Sequence, residues 1–231
     1  NRLCFNYFKD RLARFYGTVV NLAIANDWMH KNPFAGIRFQ EKEVIREVLT
    51  KEEIERMMCK EFALPRLEYV RDVFIFCVFT GMAYVDVNNL RQEHIVRDNN
   101  DDLWIRKARQ KTNNMCNIPL LKIPQLLMEK YKNHPLCTKT GALLPVPSNQ
   151  KMNSYLKEIA DFCGIQKNLT THTARHTFAT VVALANGVSM ENIAKMLGHS
   201  DIRMTQRYAK VMDSSIMRDM ENVDKLFKSS E

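Results

Sequence analysis

The 231-residue sequence predicts a mainly α fold with one small antiparallel β-sheet, an α+β class. Three observations predict it. Apolar residues recur near a period of 3.6 over most of the chain, the signature of amphipathic helices. Between residues 94 and 119, three short apolar runs are separated by two polar turn clusters, which is how consecutive hairpins read. Capping residues and glycines bracket the periodic stretches.

Taken in order, Phe5 to Asp27 reads as a helix through Phe8, Leu12, Phe15, Val19, Leu22 and Ala23, weakened by Gly17 and ended by Asn32-Pro33-Phe34. Residues 39–49 are charged and lack an apolar period, so they read as a linker. A second unit opens at Thr50, where Thr50-Lys51-Glu52-Glu53 has the form of a capping box. A helix from Arg66 to Phe79 carries Val70, Val73, Phe74 and Cys77 on one stripe and breaks at Thr80-Gly81. A helical turn from Asp86 to Leu90 follows.

His94–Val96, Leu103–Arg106 and Asn117–Pro119 are the three expected strands, with turns at residues 98–102 and 111–114. Helices resume at Ile123–Lys132 and Asn149–Cys163. Thr171 is expected to cap a helix through Ala185 that stops at Gly187, and Ser189 to cap one through Leu197 that stops at Gly198. Residues 214–227 show helical spacing again, at Met217, Met220, Val223 and Phe227. The chain opens at Asn1 inside a helical pattern without an initiator Met, which reads as a trimmed piece of something longer.

Composition narrows the chemistry. Thirty-four Lys and Arg against 26 Asp and Glu give a formal charge of +8, and a basic surface favours a polyanion. The six cysteines form no CxxC pair, so neither a zinc ribbon nor a dithiol redox motif is supported, and a reducing cytoplasm is expected. The longest apolar runs, Val73–Phe79 and Phe178–Ala185, are far too short to span a bilayer, so no membrane partner is expected.

The candidate chemistry concentrates near the C-terminal end. His172-Thr173-Ala174-Arg175-His176, then Leu197-Gly198-His199-Ser200, then Tyr208, collect bases, a fixed cation and a phenol. A phenol supplies a nucleophile, a guanidinium holds the charge of a phosphate and imidazoles move protons, so together they suit attack on a phosphodiester without a metal. His172 and Arg175, three apart, share a helix face. His172 and His176 have the i,i+4 spacing of zinc helices, but Arg175 between them repels a cation, so no metal is assigned. His176 alone reads as a packing or capping residue. Lys111, in the basic stretch Arg106-Lys107-Ala108-Arg109-Gln110-Lys111, sits at a hairpin tip from which it can offer a proton to a leaving oxygen. Arg109, Arg203 and Arg207 are candidate contacts to a DNA backbone.

These residues resemble the tyrosine recombinases, also called the phage integrase family. The resemblance rests on His-x-x-Arg-His, on Leu-Gly-His with a Tyr nine residues after that His, on the apolar helix ending in Thr80-Gly81-Met82, and on the Lys111 hairpin ending in Ile118-Pro119-Leu120. It covers about Leu49 to Tyr208. It implies a catalytic domain over residues 50–231 with a C-terminal tail helix, and it makes residues 1–38 the last part of a helical core-binding domain. It implies that Tyr208 forms a 3′-phosphotyrosyl bond, that Arg175 holds the non-bridging oxygens, that Lys111 protonates the leaving 5′-oxygen, that His172 acts as acid or base, and that His199 hydrogen-bonds the phosphate. No ATP, metal or other cofactor is then needed, because the covalent link conserves the energy of the broken bond. The partners implied are double-stranded DNA and three further copies of the chain, a tetramer on DNA and a monomer when free.

One position departs from the pattern. The family usually carries an Arg two residues after the Gly of Thr-Gly, and here that position is Ala83. Losing a preorganised cation costs a phosphoryl-transfer site a few kcal/mol unless another replaces it, and Arg71 and Arg91 are the candidate replacements. The function expected is a site-specific DNA recombinase or integrase. The alternatives are a type IB topoisomerase-like nicking and resealing enzyme, and a DNA-binding protein whose catalysis Ala83 has impaired.

Overall fold

A computed structural model describes residues 15–33 and 47–209. The chain divides into two units, Asn1–Ile45 and Arg46–Glu231. The expected tail helix, residues 1–14 and most of the linker lie outside the described residues.

In the first unit, helix α1 covers residues 15–25. It ends well before Asn32-Pro33. Asp27 takes a left-handed φ of 58°, while Asp27 N–H donates to Ile24 O at 3.1 Å and Trp28 N–H to Ala23 O at 2.8 Å. That pair of bonds is the Schellman arrangement, here with Asp in the place glycine usually takes. The stop is therefore set by an Asn-Asp pair, not by the later proline.

The second unit is built on α3, Pro65–Thr80, with proline at its first position. Most of its residues are buried, including Val70, Val73, Phe74, Phe76, Cys77 and Val78. A helix buried all round is a core element, and α3 packs against the helices that follow it. Before it, α2 (Lys51–Cys59) opens on the expected capping box: Glu53 N–H donates to Thr50 Oγ1 at 3.3 Å and Thr50 N–H to Glu53 Oε2 at 2.7 Å. After it come the short α4 (Tyr84–Asn88) and the strands β1 (Ile95–Arg97), β2 (Leu103–Ala108) and β3 (Met115–Pro119). The sheet is antiparallel in the order β1-β2-β3, and Ile105 faces Ile118 and Lys107 faces Cys116 across β2 and β3.

Then follow α5 (Lys122–Tyr131), α6 (Pro135–Thr140) and α7 (Asn149–Phe162). The sequence reading has no counterpart for α6. At six residues it is too short to show a period, although Pro135 at its start and Gly141 in left-handed φ at its end mark it. Helix α8 (Thr171–Thr177) is capped by Thr170 rather than Thr171, because Thr173 three residues on closes the reciprocal box. It runs on through a π-helical segment, Phe178–Ala183, and a 3-10 turn, Leu184–Asn186. Ser189 caps α9 (Met190–Leu197) as expected, and α10 (Arg203–Ala209) carries Tyr208.

Candidate active site

Two helix ends converge to build the site. Helix α3 stops at Gly81, φ 68°, and α9 stops at Gly198, φ 60°. Only glycine fits either place. A Cβ at Gly81 would meet Phe178 Cδ1 at 2.4 Å, and one at Gly198 would meet Arg109 Cδ at 2.6 Å and Cys116 Sγ at 2.7 Å. The stops free backbone carbonyls, and Arg175 on α8 uses them: its Nη1 donates to Gly81 O and its Nη2 to Leu197 O, both at 2.6 Å. Helix C-terminal carbonyls are the negative end of the dipole, so they suit a guanidinium. Arg175 is 6% exposed. Burial and the neighbouring Arg109 guanidinium both lower its pKa from the ordinary arginine value.

The same stop at Gly198 aims His199. Gly198 N–H donates to Lys195 O at 3.2 Å and His199 N–H to Ala194 O at 2.9 Å, again the Schellman pair. The imidazole then lies between Arg175 Nη2, 3.3 Å from its Nε2, and Thr205 Oγ1, 2.9 Å from its Nδ1. A guanidinium only donates, so Nε2 carries the lone pair and Nδ1–H donates to the threonine. Burial first, then the charges of Arg175 and Arg109, push this imidazole down to about 4. His199 is therefore neutral at pH 7.

Tyr208 is 8% exposed and packs with Phe178, Ala179, Ile193 and Leu197. Its ring stacks on His199, centroids 6.3 Å apart and 11° from parallel, and meets the edge of His176 at 5.2 Å. His176 thus packs against the Tyr208 ring. His172 is exposed, and its ring lies 6.1 Å from that of His176. Three imidazoles, two on α8 and one in the turn after α9, thus lie near the α10 phenol or near one another.

The remaining expected residues lie on the β2–β3 hairpin, on α3, on α10 and in the turn after α4. Lys111 is exposed at the tip of the β2–β3 hairpin. Arg207 is exposed, and Arg203, also exposed, pairs with Asp201 at 2.6 Å. Arg71 and Arg91, the candidate replacements for a guanidinium at Ala83, are each bonded to other partners. Arg71 is nine residues before Thr80, about 14 Å of helix away. It is bonded to Asp72 and to the carbonyls of Met57, Met58 and Lys60. Arg91 Nη1 donates to Asn88 O and Leu90 O, closing its own turn. Arg109 is not a solvated hairpin charge either: its side chain is 11% exposed, with its Nε 3.9 Å from the Asp86 carboxylate. Among the described residues no three His, Cys, Asp or Glu side chains are grouped to hold a metal ion.

The description "Phage integrase family" is that of the family model matching residues 47–215. This chain belongs to the phage integrase family. The integrase-family chain is 40% identical over 95 residues to tyrosine recombinase XerD of Staphylococcus saprophyticus, a match covering 41% of this chain and 31% of that protein. It is 42% identical over 71 residues to XerD of Staphylococcus aureus, covering 31% and 24%. The match thus spans less than a third of the length of these curated relatives. Among solved structures, a lambda integrase dimer bound to a core site superposes with a TM-score of 0.63 at 18% identity, over 84% of this chain and 69% of that one. The Tn1549 transposon integrase in complex with circular intermediate DNA gives 0.65 at 18% identity, over 91% and 77%. At such identities the likeness is one of fold: mostly helical, with the small three-stranded antiparallel sheet.

Proposed function

We propose that this protein is a site-specific recombinase that cuts and rejoins double-stranded DNA through a covalent bond to Tyr208. The observation that carries the reading is the joining of the phenol, the Arg175 guanidinium and the His199 imidazole in one buried cluster, although they lie on separate segments. In this reading the Tyr208 oxygen bonds to phosphorus as the bond from phosphorus to the 5′-oxygen breaks. The phenol proton passes to an imidazole, His172 or the His176 that packs on the phenol ring, and Lys111 gives a proton to the departing 5′-oxygen. Rejoining is the reverse, so no external energy source is consumed.

Arg175 neutralises the non-bridging oxygens. A bound phosphate also offsets the positive field that holds His199 neutral, so Nε2 gains a proton more readily in the complex and donates to the phosphate. The formal charge of +8 supports a DNA partner. The similarity to recombinases and integrases favours strand exchange over simple nicking and resealing. Exchange requires a homotetramer on the DNA, formed from free monomers. The five described cysteines are unpaired, which supports a cytoplasmic setting.

The test is a nicked suicide duplex that loses its short 5′-fragment after cleavage. The protein is expected to become covalently trapped on it, in EDTA as well, and Tyr208→Phe is expected to trap nothing. Trapping by the Phe variant would falsify the assignment.

A further inference from the structure

Ala83 leaves the site one cation short of the family pattern, and Arg71 and Arg91 are bonded to other partners. The β2–β3 hairpin brings another guanidinium beside Arg175. Arg109 Nη1 lies 3.4 Å from Gly198 O, while Arg175 Nη2 donates to the adjacent carbonyl, Leu197 O, at 2.6 Å. Two consecutive carbonyls therefore hold two guanidiniums side by side, and the next residue is His199, which touches Arg175. The Arg109 stem lies where a side chain at residue 198 would be, so the missing Cβ of Gly198 makes room for it.

We propose that Arg109 is the second phosphate-holding guanidinium of this active site, reaching the scissile phosphate from the hairpin rather than from the α3–α4 turn. This rests on the DNA-cleaving reading of the cluster given above.

Three observations support the role. Arg109 is incompletely satisfied: its buried Nε has no hydrogen-bond partner. A buried donor left unpaired is costly, and an incoming phosphate oxygen removes that cost. Arg109 is also placed deliberately. Asp86, 5% exposed, accepts from Gln110 N–H at 2.9 Å and sets its other oxygen 3.9 Å from Arg109 Nε. The carboxylate thus fixes the hairpin against α4 and keeps Arg109 inward. Finally, the charges are unbalanced. Arg109 acts on both Arg175 and His199, and among the described residues the carboxylate beside the pair of guanidiniums is that of Asp86. Two buried cations beside one anion are a site for a further anion. In the transition state the phosphoryl oxygens carry more negative charge than in the ground state, and a second fixed guanidinium answers that increase.

Trapping on the suicide duplex is to be measured for wild type, Arg109→Ala and Arg109→Lys, with duplex affinity measured in parallel. Arg109→Ala is expected to slow trapping by at least about 100-fold while affinity stays within about threefold. Arg109→Lys, which keeps the charge without the two-pronged fork, is expected to fall between. A second duplex carries a methylphosphonate at the scissile position, where a methyl group replaces one charged oxygen. There the deficit of Arg109→Ala relative to wild type is expected to shrink by at least about tenfold. Wild-type trapping rates in either variant overturn the proposal. So does a loss of trapping matched by an equal loss of affinity and unrelieved by methylphosphonate, which makes Arg109 a plain backbone contact. If Arg109→Ala fails to fold, the Lys variant decides by the same criteria. Failure of the wild type itself to trap overturns the underlying reading instead, and so separates the two.

Discussion

Helix α3 has an arginine site at each end, and the two are built on opposite principles. Near its start, Arg71 is 8% exposed; past its C-terminal end, Arg175 is 6% exposed. Burial is the same, but partners differ. Arg71 bonds to the Asp72 carboxylate and three carbonyls, and Asp72 is held in turn by Lys130 Nζ and Tyr131 Oη, each at 2.7 Å. Burial and Asp72 push the Tyr131 phenol up, so it stays a neutral donor. This network has no charge left to offer. Arg175 bonds to two carbonyls and an imidazole, dipoles that orient it without cancelling it. A neutralised cation fastens α2 to α3, whereas an oriented but uncancelled one is ready for an anion. Arg109 stands between the two, with one carbonyl and the looser Asp86 carboxylate beside it.

The comparison breaks most sharply through activity. Arg175→Ala is expected to lower the rate of covalent trapping by roughly 10²–10³-fold, the cost of a lost fixed donor at a developing oxyanion. Arg71→Ala is expected to leave trapping per folded molecule unchanged. Equal losses in the two variants would dissolve the distinction.

Stability reverses the order. Arg71→Ala strips a partner from buried Asp72 and three carbonyls, and about 3 kcal/mol is expected in urea unfolding. That is the lower end for a broken buried pair, since Lys130 and Tyr131 still hold the carboxylate. Arg175→Ala relieves a repulsion with Arg109 as it loses its bonds, so a smaller change is expected. A larger loss for Arg175 than for Arg71 counts against the comparison.

Thr205 tests the orientation of His199. It is 1% exposed, and Thr205→Val keeps the shape but leaves Nδ1–H without an acceptor, at about 1–3 kcal/mol. Thr205→Ser is expected to be close to wild type in stability and in trapping. If Val is as good as Ser, the threonine does not fix the tautomer.

The smallest effect is in pH. The folded His199 titrates at about 4 against 6.5 when unfolded, so between those values the unfolded chain binds a proton that the folded chain does not. The contribution is complete above about 6.5 and is lost as pH falls toward about 4. Melting temperature is expected to drop more steeply over that window in wild type than in His199→Asn. Parallel curves would show that the site does not hold the imidazole neutral.

Local signals carried much of this into the sequence. The capping box at Thr50, the Ser189 cap and the glycine stops at 81 and 198 each act within a few residues, so they are legible one element at a time. The spacing of His172, Arg175, His199 and Tyr208 was legible for the same reason. Helix α6 was missed because six residues show no period, and the π-helical segment at Phe178–Ala183 because no residue type announces it. His176 reads as a packing residue in the sequence, but that its ring packs on Tyr208 was not legible there, because Tyr208 comes from α10.

Sequence alone therefore determined most of the element types, the candidate reacting groups and the absence of an arginine at Ala83. Only the tertiary structure decided which cation stands beside Arg175. Arg71 shares a helix with Thr80 and is spatially remote; Arg109 is 26 residues beyond Ala83 in the chain and lies beside Arg175. A charge's reach depends on distance in space and on what cancels it locally, and neither quantity is written in the order of the residues.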